Sequence, residues 1–260
     1  AGLVEGVREA LGERCAGVWS DVPQDTGIGV VNSAAAFARE KGVDCVVSVG
    51  GGSVIDTGKG ICILLMEGGG LENFEGIQLL TRPQTPHIVI PTTAGTGSEV
   101  TCMAVILDER KGQKMLIVEY FNAPRIAILD PKMTERLPPL LTASTGMDAM
   151  THAVEALQSL SREPIADGLA MQAIRLLHRD LPVCTENGAD LAARGQTQLA
   201  ATMAGWAFGN AMVGLVHAMA HSIGAIARVP HGIANGILLP HVMAFNRDDA
   251  AEGYAMVAEA

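Results

Sequence analysis

The sequence predicts an α/β domain over residues 1–132 and an all-helical domain over residues 133–260. Up to residue 130, short apolar runs alternate with helical stretches, which is typical of strands in a buried parallel sheet. After the polar, proline-rich joint PKMTERLPP, apolar residues recur at helical spacing and β-rich runs almost disappear. The domain boundary is therefore placed at this joint.

Three helices and five strands are predicted in the first domain. The helices are LVEGVREALGERC, VNSAAAFAREKG and GGSVIDTGKGICILLM, and the strands are CAGVWSDV, DCVVSVG, HIVIPTT, CMAVIL and RIAILD. Helices in the second domain are predicted around 146–159, 164–178, 190–208, 210–226 and 232–245. Because only 3% of the residues are aromatic, small aliphatic residues and glycine must fill both cores.

Composition excludes several classes of partner. The formal net charge of -10 disfavours nucleic acid and anionic membranes. No apolar run approaches the roughly 20 residues of a membrane span. The five cysteines are scattered and form no CxxC pair, which fits a reducing compartment better than a disulfide scaffold. We expect a cytoplasmic protein that acts on small molecules.

A glycine loop joins a predicted strand to a predicted helix at Gly50-Gly51-Gly52-Ser53. Backbone N–H groups at a helix start and a close backbone approach both suit a pyrophosphate. Ser53 is expected to cap the helix, with Asp56 at its third position. The spacing is not GxGxxG, so a purely structural turn explains the loop equally well.

A second loop, residues 92–99, follows the predicted strand HIVIP. Its hydroxyl groups could bind ribose or phosphate oxygens, although such loops are also common as simple turns. Two such loops after successive strands favour a ligand, because open α/β sheets bind ligands beyond the carboxyl ends of their strands.

Histidines and one carboxylate recur at helical spacing in the second domain. Asp148 and His152 are four residues apart, as are His217 and His221, and His231 follows after a short gap. Residues four apart share a helical face, where a carboxylate and imidazoles could hold Fe(II), Zn or another first-row divalent ion. A histidine in an apolar helix is more often a hydrogen-bonded core residue, so spacing alone leaves both interpretations open.

Four segments carry a resemblance to a known family: GGGSVIDTGK (50–59), PTTAGTGSEVT (91–101), GMDAMTHAVEA (146–156) and residues 214–246. In order and spacing they resemble the iron-containing (group III) alcohol dehydrogenases, which include lactaldehyde reductases and butanol dehydrogenases. The resemblance implies a Rossmann-like NAD(P)-binding domain and a helical metal-binding domain, the architecture of dehydroquinate synthase.

The resemblance also assigns roles to particular residues. It implies a metal held by Asp148, His152, His217 and His231, with His221 moving a proton beside the substrate. The implied cofactor contacts are Gly51, Gly52, Ser53, Asp56, Thr92, Thr93, Thr96 and Lys114.

The expected function is metal-assisted hydride transfer between an alcohol and an aldehyde or ketone, with NAD or NADP. Fe(II) is the expected metal, zinc is the alternative, and the full-length form is expected to be a homodimer or higher homo-oligomer. Family members begin with an additional strand and continue into further helices that nothing here matches. The alternatives are a glycerol dehydrogenase-like or dehydroquinate synthase-like enzyme, or a truncated metal- and nucleotide-binding remnant without turnover.

Overall fold

The computed structural model describes residues 2–260, which fall into two compact units. The first unit comprises the chain up to Pro91 together with Cys102–Ile128, and the second comprises Thr92–Thr101 together with Leu129–Ala260. The later division, after Ile128, lies close to the predicted joint at 132/133. The membership of residues 92–101 in the second unit has no counterpart in the sequence prediction.

The first unit alternates helices and short strands. In chain order its elements are α1 (Leu3–Leu11), α2 (Ile28–Glu40), β1 (Val46–Gly50), α3 (Gly52–Glu67), β2 (Gly76–Ile77), β3 (His87–Pro91), β4 (Met103–Asp108), β5 (Gln113–Val118) and β6 (Ile126–Ala127).

The predicted parallel sheet is formed by β1, β3 and β6, with β3 in the middle. The register runs from Val46 opposite His87 to Gly50 opposite Pro91, so β1 and β3 end side by side. The predicted strand CMAVIL forms β4, but it joins a second, mixed sheet in the order β2-β5-β4. There β4 pairs antiparallel with β5, a strand that the sequence analysis missed.

The predicted strand CAGVWSDV, residues 15–22, does not form and is a wrong prediction. A strand needs a hydrogen-bonded neighbour, and among residues 2–260 no strand pairs with this segment. Trp19 instead packs its ring 5.7 Å from that of Phe37 on α2 and donates its indole N–H to the carbonyl of Asp21.

The second unit is helical, as predicted. Its helices are α4 (Pro139–Gln158), α5 (Pro164–Glu186), α6 (Leu191–Ala211), α7 (Leu215–Ala227), α8 (His231–Phe245) and α9 (Ala251–Glu259). Helix α4 contacts α5, α6, α8 and α9, and its buried face is rich in alanine, including Ala149, Ala153 and Ala156. Small side chains therefore fill this core, as the low aromatic content predicts.

Glycines explain why residues 92–101 pack with the second unit. Gly97 has a φ of +62°, and a Cβ there would lie 2.5 Å from the Cα of Gly205 on α6. A Cβ on Gly95 would lie 2.6 Å from the carbonyl oxygen of Thr145 on α4. Both glycines thus allow the loop backbone to lie directly against helices of this unit.

Within the described chain, no single helix is both long and apolar enough to cross a membrane. One sharply bent pair, Leu191–Ala211 with Leu215–Gly224, meets the criteria of length and composition alone.

Candidate metal centre and nucleotide loop

Helix α4 presents three ionisable side chains along one face. Asp148, His152 and Glu155 are spaced by four and three residues, and each is at most 5% exposed. Buried charges at such positions are costly unless they are paired or coordinated. The candidate site therefore lies on this face of α4.

Two further histidines meet this face from α7 and α8. Oδ1 of Asp148 lies 3.4 Å from Nε2 of His231, 3.6 Å from Nε2 of His217 and 3.9 Å from Nε2 of His152. One ligand atom each from Asp148, His217 and His231 lies within 4.8 Å of the other two. The four residues expected to bind metal are thus brought together in one unit of the fold.

Ring stacking orders the histidines of the candidate site. The imidazole of His152 lies between Phe208, with centroids 4.1 Å apart, and His217, with centroids 4.4 Å apart. The ring of His221 is half-buried and lies 4.9 Å from that of His231 and 6.1 Å from that of His217. His221 thus borders the cluster on the more exposed side.

The pKa values of these groups follow from burial and mutual contact. Burial alone would raise the pKa of Asp148, but the neighbouring histidines, His152 foremost, hold it well below its ordinary value. Burial lowers the pKa of His152 to about 3. For His217 burial acts downward, but hydrogen bonding to Asp148 and Glu155 raises the pKa to about 9. The site therefore combines a carboxylate with at least one neutral imidazole.

The donor set fits a divalent cation of the first transition row. It combines one carboxylate oxygen with imidazole nitrogens, lacks cysteine, and converges within a few ångströms, as such ions require. The carboxylate of Asp148 is buried and its Oδ1 lies 3.6 Å from Nε2 of His217, and a divalent cation between them would balance its charge.

Two residues of this site escaped the sequence analysis. Glu155 accepts a 2.6 Å hydrogen bond from Nδ1 of His217, and Asn235 donates from Nδ2 to Oδ1 of Asp148 at 2.7 Å. Asn235 is fully buried, and its Nδ2 also lies 3.2 Å from Nε2 of His231. Glu155 follows the predicted ligand His152 by three residues, and Asn235 follows the predicted ligand His231 by four. This helical spacing is the sequence feature that could have identified both residues.

The glycine loop differs from its predicted geometry. Gly51, not Ser53, is the N-cap of α3, and Ser53 lies inside the helix, so the predicted cap is wrong. Ser53 Oγ instead accepts a hydrogen bond from the backbone of Asp25. Within the described residues no side chain caps the start of α3, and its first N–H groups suit an anion such as a pyrophosphate.

Asp56 and Lys114 make structural contacts in the same unit. Oδ2 of Asp56 accepts a 2.9 Å hydrogen bond from the backbone N–H of Val105, which ties α3 to β4. The ammonium of Lys114 lies 2.8 Å from the carboxylate of Asp25. Asp25 therefore contacts two residues expected to bind the cofactor, Ser53 and Lys114.

The threonines of the second loop lie in the other unit. Thr92, Thr93 and Thr96 are half-buried, and Oγ1 of Thr96 accepts a hydrogen bond from the backbone of Ser98. The loop begins where β3 ends beside Gly50 of β1.

Comparisons with known proteins agree with this geometry. Residues 1–131 match the iron-containing alcohol dehydrogenase family, and residues 142–260 match the Fe-containing alcohol dehydrogenase family, C-terminal. The chain belongs to the iron-containing alcohol dehydrogenase family, as its motifs predict.

Several relatives are similar over most of this chain. It is 46% identical to 1,3-propanediol dehydrogenase of Klebsiella pneumoniae over 91% of this chain and 60% of that protein. A crystal structure of 1,3-propanediol oxidoreductase superposes with a TM-score of 0.91 and 43% identity, covering 94% of this chain and 64% of the other.

Sulfoacetaldehyde reductase from Bifidobacterium kashiwanohense, in complex with NAD+, superposes with a TM-score of 0.88 and 31% identity, covering 94% of this chain and 65% of the other. The chain spans 59% to 62% of the length of the first three curated relatives.

Proposed function

We propose that this chain forms part of a metal-dependent oxidoreductase that interconverts an alcohol and an aldehyde or ketone with NAD(P). The observation that carries the proposal is the convergence of Asp148, His217 and His231 within 4.8 Å, with His152 stacked against them. Membership of the iron-containing alcohol dehydrogenases supports iron as the metal, and zinc is the second candidate.

The metal would be held by Asp148, His152, His217 and His231. When bound, it would supply Lewis acidity to the oxygen of the alcohol or carbonyl. Asp148 contributes the negative charge, because its pKa is held below its ordinary value and the carboxyl stays ionised. His152 contributes a neutral nitrogen donor, because burial lowers its pKa to about 3.

His221 is proposed to move the proton between the substrate hydroxyl and solvent. Its ring borders those of His231 and His217 and is half-buried, which places an imidazole at the rim of the cluster. An imidazole is suited to this task because its pKa lies near neutral pH. The contribution expected of such a group is about 10²- to 10⁴-fold in rate.

The cofactor is proposed to bind through the start of α3. The N–H groups of Gly51, Gly52 and Ser53 would receive the pyrophosphate, and Lys114 would add positive charge nearby. Asp56 would act through position, since its hydrogen bond to Val105 holds α3 in place. Thr92, Thr93 and Thr96 remain proposed contacts. NAD is favoured over NADP because one structural relative was solved with NAD+.

The wider biology is proposed on the same basis. A small alcohol or aldehyde is the substrate, and the full-length protein is a homodimer or higher homo-oligomer. Its cysteines are free thiols, which favours a cytoplasmic location. A net charge of -10 disfavours nucleic acid and anionic membranes as partners.

The test combines metal analysis with turnover. The chain is loaded anaerobically with Fe(II), or with Zn(II), and analysed for metal and for NAD(P)H oxidation by a panel of simple aldehydes and ketones. We expect one metal per chain, its loss in His217→Ala, and aldehyde-dependent oxidation in a version extended to family length. Full metal occupancy in His217→Ala would overturn the ligand assignment.

Alternative functions have distinct outcomes in this assay. Activity confined to glycerol would indicate a glycerol dehydrogenase-like enzyme, and metal and NAD binding without redox turnover would indicate a dehydroquinate synthase-like enzyme or an inactive remnant. Gly52→Val addresses the cofactor separately. A side chain at the start of α3 should weaken NADH binding in a fluorescence titration, and unchanged affinity would reduce the loop to a structural turn.

A further inference from the structure

Glu155 lies fully buried on α4, one turn beyond His152. Its carboxylate accepts three hydrogen bonds. Oε2 accepts from Nδ1 of His217 at 2.6 Å and from the backbone N–H of Gly214 at 2.8 Å, and Oε1 accepts from the backbone N–H of Val216 at 2.7 Å.

Hydrogen bonds from the backbone at the start of α7 hold the Glu155 carboxylate in place. The N–H groups of the first helical turn, together with the helix dipole, favour an anion there. A Cβ on Gly214 would lie 2.9 Å from Oε1 of Glu155, so a side chain at that position would displace the carboxylate. The carboxylate thus connects α4, which carries two predicted ligands, to α7, which carries a third.

The hydrogen bond to Nδ1 determines the tautomer of His217 and the direction in which its Nε2 points. A carboxylate that accepts from Nδ1–H places the proton there and leaves Nε2 to face Oδ1 of Asp148, 3.6 Å away. Partners of this kind orient metal-binding histidines and increase their basicity, and their loss typically lowers metal affinity 10- to 100-fold.

We infer that Glu155 is a positioning residue of the metal centre, which fixes the tautomer and rotation of His217 and holds α7 in register with α4. The inference rests on the proposed metal-binding function. Glu155 itself binds neither metal nor substrate, and its effect is transmitted through the imidazole of His217.

The experiment uses the intact chain and cobalt(II) as a spectroscopic probe. Dissociation constants for Co(II) and Zn(II) are measured by competition with a chelator for wild type and Glu155→Gln, and the visible spectrum is recorded at saturating Co(II). We expect a 10- to 100-fold weaker metal affinity and an altered Co(II) spectrum. NMR of Zn(II)-loaded protein with ¹⁵N-labelled histidine gives a second readout. In Glu155→Gln, the Nδ1–H signal of His217 should shift or disappear relative to wild type.

Glu163→Gln is the matched control. Glu163 also accepts hydrogen bonds at a helix start, from the N–H groups of Ile165 and Ala166. Among residues 2–260 it has no hydrogen bond or ion pair to the metal cluster. Glu163→Gln should weaken the N-cap of α5 about as much as Glu155→Gln weakens the hydrogen bonds at the start of α7. Its metal affinity and Co(II) spectrum should remain those of wild type. Equal losses in both variants would mean that Glu155 acts only on stability, and would overturn the inference.

Two further variants decide the case if Glu155→Gln does not fold. Glu155→Asp keeps the charge but draws the carboxylate away from His217, and Gly214→Ala displaces it without removing it. Either variant should bind metal more weakly than wild type, and wild-type affinity and spectrum in a folded variant would overturn the inference. Absence of metal binding in folded wild-type protein would instead reject the proposed function.

Discussion

Nδ2 of Asn235 lies 2.7 Å from Oδ1 of Asp148, and both side chains are buried. The same Nδ2 lies 3.2 Å from Nε2 of His231 and 3.3 Å from Nε2 of His217. The amide thus contacts the atoms proposed to ligate the metal, and it provides a neutral donor to a carboxylate whose pKa is held low.

Asn235→Asp should therefore destabilise the metal-free protein and increase its response to metal. A second carboxylate at this distance replaces an attractive contact with like-charge repulsion, which a divalent cation would relieve. Thermal unfolding with and without Zn(II) measures the effect, and we expect a lower Tm without metal and a larger rise with it. Asn210→Asp, on the exposed end of α6, is the control and should leave the response to Zn(II) unchanged.

His221→Ala should separate proton transfer from metal binding. The variant is expected to keep its metal, while His217→Ala loses it, because the family resemblance places His221 beside the substrate and not among the ligands; its ring borders that of His231. In the extended enzyme the rate should fall by about 10²- to 10⁴-fold. Elemental analysis and steady-state kinetics are the measurements, and an equal loss of metal in the two variants contradicts the assignment.

Local patterns predicted the helices and showed candidate ligands at helical spacing, whereas pairing across the chain escaped them. The ligand set itself follows from the family resemblance and stays a prediction. The spacing of Asp148, His152 and Glu155 defines one helical face, but the partner of Glu155 is His217, 62 residues away, and helix packing alone decides that contact. Similarly, β5 went unnoticed although Gly112, with a φ of +64°, closes a hairpin turn between β4 and β5.

The predicted strand at 15–22 failed for the complementary reason. Its apolar residues suggested a buried strand, but Val18 is exposed and Trp19 only half-buried. A strand also requires a neighbour, which the local sequence does not specify. The packing of Trp19 on Phe37 gave this segment an alternative way to bury its aromatic side chain.

His87 should make stability depend on pH between about 3 and 6.5. It is 3% exposed, hydrogen-bonds Ser48, and has its pKa lowered to about 3 by burial and then by Lys59. Below pH 6.5 the unfolded chain takes up a proton that the folded protein does not, so stability is complete above pH 6.5 and falls with acidification.

The contribution is up to about 1.4 kcal/mol of unfolding free energy per pH unit. His87→Gln should reduce the slope of unfolding free energy against pH by that amount, as measured by urea unfolding. His241→Gln replaces an exposed histidine and serves as the control. Parallel slopes for wild type and His87→Gln would disprove the role of His87.

Two glycines on α6 should respond oppositely to alanine. A Cβ on Gly205 would lie 2.8 Å from Cα of Gly97, so the backbone must shift, at a cost of about 1–3 kcal/mol. A Cβ on Gly209 would meet only Cγ2 of Thr101 at 3.7 Å, an ordinary contact, so Gly209→Ala should stabilise the helix by up to about 1 kcal/mol. Unfolding free energies of the two variants test this prediction. Equal changes would contradict the close approach of the Gly97 backbone to Gly205 on α6.

Asp25→Asn should strengthen cofactor binding. Asp25 places a half-exposed carboxylate 2.8 Å from Lys114 and donates its backbone N–H to Ser53, beside the start of α3. Removing that charge releases the ammonium for an anionic nucleotide and removes repulsion of its phosphates. Because exposed ion pairs are worth only about 0.2–1 kcal/mol, we expect an affinity gain of roughly two- to fivefold that shrinks at high salt.

The neighbouring pair of Lys111 and Glu75 provides the control for that experiment. Its N–O distance is also 2.8 Å and Lys111 lies in the turn before β5, but the pair has no contact with Ser53 or Lys114 among the described residues. Glu75→Gln removes the same formal charge, so it should leave NADH affinity close to wild type in a fluorescence titration at low salt. If both variants gain equally, the effect is one of net charge, and Asp25 has no particular relation to the cofactor.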